Sequence, residues 1–355
     1  MRRRKHLAAH LATATMLLAL LLRALAGGQT KPAESETKPA GMWVNVTNNV
    51  GGPQWGYAGV MTMAAVPGAD RVIAGVSEQG LWASDDRGKS WKKLGEQDKV
   101  QIKNRPYRIL FDPADANMFW ESGNYEGPGV LKTTDGGKTF TPIGNLTQID
   151  GIAIDFSDLQ RKTILVGHHE KPRSVEKSSD SGQTWQPIGQ KLPENTNFSN
   201  DQIVFDANTY VVNAAGWAQN AAFGIFRTED GGATWTKVSD AGPAGVPCIA
   251  SDGAIYWQTL WAKGLIKSID KGKSWQALEG PVKDNPIELP KGKLVAPVDR
   301  QLYVSGDGGK TWQKVGPLLP FKPSGICYSQ PANTIYAWRS TETKDDNVIV
   351  KWEVQ

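Results

Sequence analysis

From Met42 onward the chain alternates short apolar runs with Gly, Pro, Asn and Asp. The first set reads "AGVMTMAAV", "RVIAGV", "GLWASD" and "SWKKL", ending at Leu94. Each run is strand-length, apolar positions alternate with small or polar ones, and turn residues separate the runs. The fifth set, "GVPCIAS", "AIYWQTL", "GLIKSID" and "SWQAL", repeats the plan. The last set offers only "SGICYS", "TIYAWRS" and "NVIVKWEV". Its missing fourth run stands at the other end of the chain, as "MWVNV" ahead of the first set. The pattern predicts an all-β chain of seven four-stranded units, in which a strand at about Trp43–Thr47 completes the last unit. Joining the two termini in one sheet removes two free strand edges.

Six units close on the same octet: "SDDRGKSW" (84–91), "TTDGGKTF" (133–140), "SSDSGQTW" (178–185), "TEDGGATW" (228–235), "SIDKGKSW" (268–275) and "SGDGGKTW" (305–312). Asp86, Asp135, Asp180, Asp230, Asp270 and Asp307 recur at separations of 49, 45, 50, 40 and 37 residues. A period of about 40–50 residues built from short strands is the signature of a propeller. The Asp carboxylate accepts bonds from nearby backbone N–H groups, and the Gly two residues on supplies a positive φ. The closing aromatic packs between sheets. The six Asp are read as structural staples and not as a metal array, since tens of residues separate each from the next. No cofactor and no metal are expected.

The octets resemble the Asp box (BNR repeat) of sialidases, xyloglucanase-type glycosidases, sortilin-type receptors and photosystem II assembly factors. The resemblance implies a single seven-bladed β-propeller over residues 41–355. Its members perform unrelated functions, so it implies no activity by itself. It does imply a polarity. The boxes occupy the lower, outer turns, and ligands bind at the opposite face, at the mouth of the central funnel.

The start of the chain adds a destination. Arg2, Arg3, Arg4 and Lys5 precede the apolar "LATATMLLALLL" and the small residues Ala24, Ala26 and Gly27. This reads as a signal peptide (1–27) cut near Ala26, with a retained anchor as the alternative. Residues 28–40 read as a flexible linker. The leader holds five of the 40 basic residues and none of the 36 acidic ones. The remainder is close to neutral, which excludes a nucleic-acid footprint. A soluble, secreted or periplasmic monomer is expected. Asn45, Asn145 and Asn197 begin Asn-x-Ser/Thr sequences and carry sugar only in a glycosylating host. Cys248 and Cys327 fall in the inner strands of units five and seven, with a whole unit between them. They are read as free buried thiols, because a disulfide needs Cα atoms within about 7 Å.

The chemistry is sought in the loops of the upper face. "VGHHEKPR" (166–173) holds His168 and His169, the only histidines outside the leader. Neighbouring upper loops add Glu121, Tyr125, Arg105, Tyr107, Trp55, Tyr57, Arg173, Trp217 and Trp261. Aromatics interleaved with Arg, Asn and His suit a sugar, with ring faces for the pyranose and polar groups for its hydroxyls. A His with a Tyr nearby suits proton abstraction, as in a polysaccharide lyase. Two family motifs are incomplete. The sialidase Arg-Ile-Pro is met only by Arg108 and Ile109, with Leu110 in place of Pro. Where xyloglucanase-type enzymes carry a catalytic Asp, this chain has Ser77, beside Glu78. The catalytic candidates are His168, His169, Tyr125, Glu78 and Glu121. The binding candidates are Trp55, Tyr57, Arg105, Tyr107, Arg173, Trp217 and Trp261. The expected function is glycan binding with hydrolase- or lyase-like cleavage; the alternative is a non-catalytic protein-binding scaffold.

Overall fold

A computed structural model describes residues 41–96, 100–216, 221–260, 263–341 and 348–354. The leader, the linker, Trp217 and Trp261 lie outside the described residues.

The strands follow the apolar runs. β1 is Val44–Asn45. Blade one holds β2 (Val60–Ala65), β3 (Val72–Val76), β4 (Gly80–Ser84) and β5 (Lys92–Lys93). Blade two holds β6 (Arg105–Phe111), β7 (Phe119–Asn124), β8 (Val130–Thr133) and β9 (Thr141–Pro142). Blade three holds β10 (Ile149–Ile154), β11 (Ile164–His168), β12 (Val175–Ser178) and β13 (Gln186–Pro187). Blade four holds β14 (Gln202–Val204), β15 (Tyr210–Ala214), β16 (Gly224–Thr228) and β17 (Thr236–Ser239). Blade five holds β18 (Cys248–Ile249), β19 (Ile255–Gln258), β20 (Leu265–Ser268) and β21 (Gln276–Leu278). Blade six holds β22 (Ile287–Leu289), β23 (Lys293–Val298), β24 (Gln301–Ser305) and β25 (Gln313–Val315). Blade seven holds β26 (Gly325–Ser329), β27 (Thr334–Trp338) and β28 (Ile349–Glu353).

All seven sheets have four antiparallel strands, and the seventh runs β1-β28-β27-β26. β1 pairs Val44 with Lys351 and Asn45 with Val350. Beyond this two-residue ladder the Val46 N–H reaches Ile349 O at 2.9 Å. Thr47 Oγ1 accepts from the N–H groups of both Val348 and Ile349 at 2.9 Å. A strand of two residues is thus extended by a side chain, and the N-terminal segment closes the ring as the outer strand of the last blade.

The core lies between neighbouring blades. Val46, Met63, Val76, Trp91 and Tyr336 pack together where blades seven and one meet. The box aromatics serve these seams. Trp91 is buried, and its indole N–H donates to Val46 O at 2.9 Å. Because successive strands alternate in direction, one end of the ring carries the Asp-box turns. The opposite end carries the β3–β4-type turns, the loops joining second to third strands, and the loops that enter each inner strand.

The box geometry is uniform. In blade two, Thr133 Oγ1 donates to Asp135 Oδ1 (2.8 Å) and accepts the buried Gly137 N–H (3.0 Å). Asp135 Oδ1 also accepts Lys138 N and Thr139 N, and its Oδ2 takes the Thr139 hydroxyl at 2.7 Å. The fifth octet position needs glycine twice over. At Gly88 φ is +83°, and a Cβ there would meet Val46 at 2.6 Å. The first Ser or Thr of the octet is therefore as much a part of the staple as the Asp.

Both cysteines are free. Burial pushes each thiol up to about 12.

Candidate functional site

The upper loops of blades two to five surround a well of about 210 Å³. Its polar side is built by Arg105, Tyr107, Asp150, His169, Glu170, Asn200 and Asp201, with Glu170 Oε1 3.9 Å from His169 Nε2; Phe198, Ala244 and Leu260 form an apolar wall.

Asp150, at the top of β10, is the hub. The His169 Nδ1–H donates to its Oδ2 at 2.9 Å, and Asn200 Nδ2 donates to the same oxygen at 2.9 Å. Asn124 Nδ2 donates to Oδ1. The carboxylate thereby fixes the His169 tautomer, with Nε2 left as the basic nitrogen. It also raises the His169 pKa above its ordinary value, against an opposing effect of burial.

Asp201 immediately precedes β14. Tyr107 donates its hydroxyl to Oδ1 (3.3 Å), and the Gly245 N–H donates to Oδ2 (3.0 Å). Burial, reinforced by the nearby Asp150 charge, pushes its carboxyl up to about 7. Two carboxyls on adjacent inner strands therefore differ in role. Asp150 orients an imidazole, and Asp201 is poised to hold or release a proton near neutrality.

Two glycines make this arrangement possible. Gly151 and Gly167 are paired across β10 and β11. A Cβ on Gly151 would meet Asn200 O at 1.7 Å, and one on Gly167 would meet Asn200 Cα at 2.6 Å. The chain entering blade four lies directly on this bare strip, which delivers Asn200 to Asp150.

The lip is aromatic. Tyr57 is 58% exposed and Tyr125 is 47% exposed. Arg105 lies between them, its guanidinium carbon 5.5 Å from the Tyr57 ring centroid and 4.6 Å from that of Tyr125. Arg105 Nε donates to Asn124 Oδ1 at 3.0 Å, which ties the lip to the hub. Tyr125 stands edge-on to His169, with centroids 5.5 Å apart. Its backbone is left-handed, φ +69°. Gln148 clamps that conformation, donating to Tyr125 O at 2.8 Å and accepting from Tyr125 N at 2.9 Å. The lip is pre-formed.

The sequence candidates separate accordingly. His169, Arg105 and Tyr107 line the well, and Tyr125 and Tyr57 form its lip. His168 does not reach it. Strand alternation turns that side chain the other way, where it is buried and donates Nε2–H to Glu176 Oε1 at 3.0 Å. Burial lowers its pKa despite Glu176. Glu121 is fully buried inside blade two, accepts from Asn104 Nδ2 at 3.2 Å, and is pushed up to about 8 by burial. Trp55 is half-buried and packs on the seam between blades seven and one, donating to Val50 O at 3.2 Å. Arg173 is held by Gln190 O. Glu78 is exposed, does not line the well, and has φ +62°. Asp150, Asp201, Asn124 and Asn200 were not singled out by sequence. Their signal is an acid in an otherwise apolar inner-strand run, as in "IDGIAI" and "DQIVF". Among the described residues no cluster of three His, Cys, Asp or Glu is arranged to hold a metal.

Seven four-stranded blades with repeated boxes make this protein an Asp-box β-propeller. The profile of the BNR-Asp box repeat family matches residues 81–94. Among curated proteins, sortilin of Rattus norvegicus is 26% identical over 232 residues, covering 60% of this chain and 26% of its own length. The chain thus spans about a quarter of that relative. Among solved structures, YCF48 bound to D1 peptide is similar with a TM-score of 0.56 at 17% identity, over 88% of this chain and 97% of that one. The GH74 xyloglucanase of Xanthomonas campestris also gives 0.56 at 17% identity, over 88% of this chain and 56% of that one. At such identities these likenesses show the fold. No helix among the described residues is long and apolar enough to cross a membrane.

Proposed function

We propose that this protein is a secreted, glycan-active propeller that takes an acidic polysaccharide or glycoconjugate at the well and cleaves it by β-elimination. The observation that carries the reading is Arg105 held between the exposed rings of Tyr57 and Tyr125, directly beside the Asp150–His169 pair. Aromatic faces stack on a pyranose, and a guanidinium matches a uronate carboxylate.

The proton chemistry follows from the bonding. Both oxygens of Asp150 already accept hydrogen bonds from amides or imidazole. It orients His169 and is not a nucleophile, which disfavours two-carboxylate hydrolysis. In the proposed reaction His169 Nε2 takes the proton from C5 of the uronate, while Arg105 stabilises the charge that develops on its carboxylate. The C4–O bond breaks, C4=C5 forms, and Asp201 returns a proton to the leaving oxygen. The rate should fall at low pH as His169 is protonated, and fall again above about 7 as Asp201 loses its proton.

The test is ultraviolet absorbance of unsaturated uronate on incubation with polygalacturonate, alginate and hyaluronan. His169→Ala should lower turnover by about 10²–10⁴-fold, and Arg105→Ala should raise KM and lower kcat. Binding without turnover on every uronate polymer would remove the lyase step. A second reading, a peptide-binding propeller, is favoured by the apolar wall of Phe198, Ala244 and Leu260. It predicts tight peptide capture that survives His169→Ala.

A further inference from the structure

Tyr107 and Gly245 line the well and also line a second, larger cavity of about 680 Å³. It occupies the central channel between the inner strands of blades one, two, five, six and seven. Its wall is strongly apolar on one side, where Met61, Met63, Val246, Ile249, Ile287 and Ile326 face it. Two of these side chains lack cover. Ile249 is 52% exposed and Val246 is 37% exposed. Seam packing does not account for an inner-strand Ile turned into an open channel.

The polar groups nearby are subdued. Glu288 is already occupied by the Ser251 N–H and hydroxyl. Arg108 donates to Ile152 O at 2.7 Å. Cys248 is a protonated thiol. Burial pushes Asp284 up from its ordinary value, with Lys322 opposing. A cavity of ligand size, whose apolar lining is interspersed with polar groups such as Thr62, Gln258, Asn285 and Lys322, has the character of a small-molecule site. Methionine walls adapt to varied apolar shapes.

We propose that the central channel binds an uncharged apolar group, an alkyl chain or aryl ring, carried by a ligand whose polar head sits in the well. The wall shared by the two cavities, Tyr107 and Gly245, sets the occupant's shape, polar on the well side and apolar on the channel side. The polar head rests on the reading of the well given above; the apolar site does not.

The experiment separates the two. Calorimetric titration with n-butanol, n-hexanol and n-octanol tests the channel without any head. Affinity should rise roughly fourfold per added methylene, the increment expected of buried hydrocarbon. Ile249→Arg and, independently, Val246→Arg should flatten that dependence while keeping the wild-type melting temperature, since both side chains are already exposed. No dependence on chain length in the wild type, or an unchanged dependence in both folded variants, would overturn the proposal. The second arm compares n-octyl β-glucuronide with n-octanol. Tighter binding of the glucuronide that falls to the octanol level in Arg105→Ala supports the joined site. Equal binding of the two leaves the channel standing and removes the uronate reading of the well.

Discussion

The two ends of this propeller treat the same side chain in opposite ways. On the box face, Asp180 is half-buried and Asp230 exposed, and their carboxyls are drawn down to about 2 by the Thr184 and Thr234 hydroxyls and then by backbone N–H groups. At the mouth, Asp201 is buried and pushed up to about 7. The box aspartates are served by donors two to four residues away in their own turn. Asp201 is served by Tyr107 of blade two and Gly245 at the entrance to blade five. Local, repeated satisfaction stabilises a turn. Satisfaction assembled once, from distant blades, creates a group whose proton is available near pH 7.

The harshest way to break the comparison is to remove what both faces share. Deleting residues 42–47 takes away β1 and the Thr47 hydroxyl, and exposes the edge of β28. Cooperative unfolding should be lost, or the melting temperature should fall by more than ten degrees, the scale of several kcal/mol. A scanning-calorimetry trace that keeps the wild-type transition would refute closure.

The next effect is a pH dependence that distinguishes the faces. Asp201 titrates near 7 in the folded state and near 3.9 unfolded. The folded chain then holds a proton that the unfolded chain has lost. Its contribution is full below about pH 4 and is lost as pH rises to 7, by up to about 4 kcal/mol and less where Asp150 shares the coupling. The box aspartates work in the other window. Their contribution is present above about pH 4 and is lost as pH falls toward 2. Urea unfolding from pH 4 to 8 should therefore show a downward slope in the wild type and a flatter one in Asp201→Asn. An unaltered slope would mean that Asp201 is ionised as usual.

Within the box face, Thr133→Val leaves the buried Gly137 N–H without its acceptor and should cost about 1–3 kcal/mol. Asp135→Ala frees donors that water reaches, and should cost less. Neither should alter affinity at the mouth. Equal costs would place the staple in the carboxylate alone.

The same contrast explains what the sequence made legible. Each box spans eight residues and contains its own partners, so octet, turn and blade count could all be read, and with them the closing strand. The well and lip residues Arg105, Tyr107, Tyr125 and His169 were legible as types in stretches read as upper loops, although Arg105 and Tyr107 stand in β6. Their partners were not. Asp150 sits inside a strand, where a reading confined to loops passes over it. Asn200 arrives only because Gly151 and Gly167 clear a path between blades. Glu121 and His168 carry the same residue-type signal, but the alternation of β7 and β11 and the packing between blades aim them inward. Nothing within a few residues of either one announces that.

The smallest effect tests that aim directly. His169 is raised by Asp150, so its stabilisation is fullest below about pH 6.5 and fades as pH rises through its folded value. His168 is lowered by burial, so the folded state disfavours its proton and stability falls as pH drops below about 6.5. The two adjacent imidazoles thus give opposite slopes. The loss in His169→Ala should be largest at pH 5 and shrink by pH 8. The loss in His168→Ala should be smallest at pH 5 and grow toward pH 8, as the packing of a neutral ring comes to dominate. Each change should be small, because burial and a carboxylate partner oppose one another at both rings. Urea midpoints at four pH values in this range resolve the signs. Slopes of the same sign would show that both rings share one environment, and the assignment of His169 to the well and His168 to the sheet would fall with them.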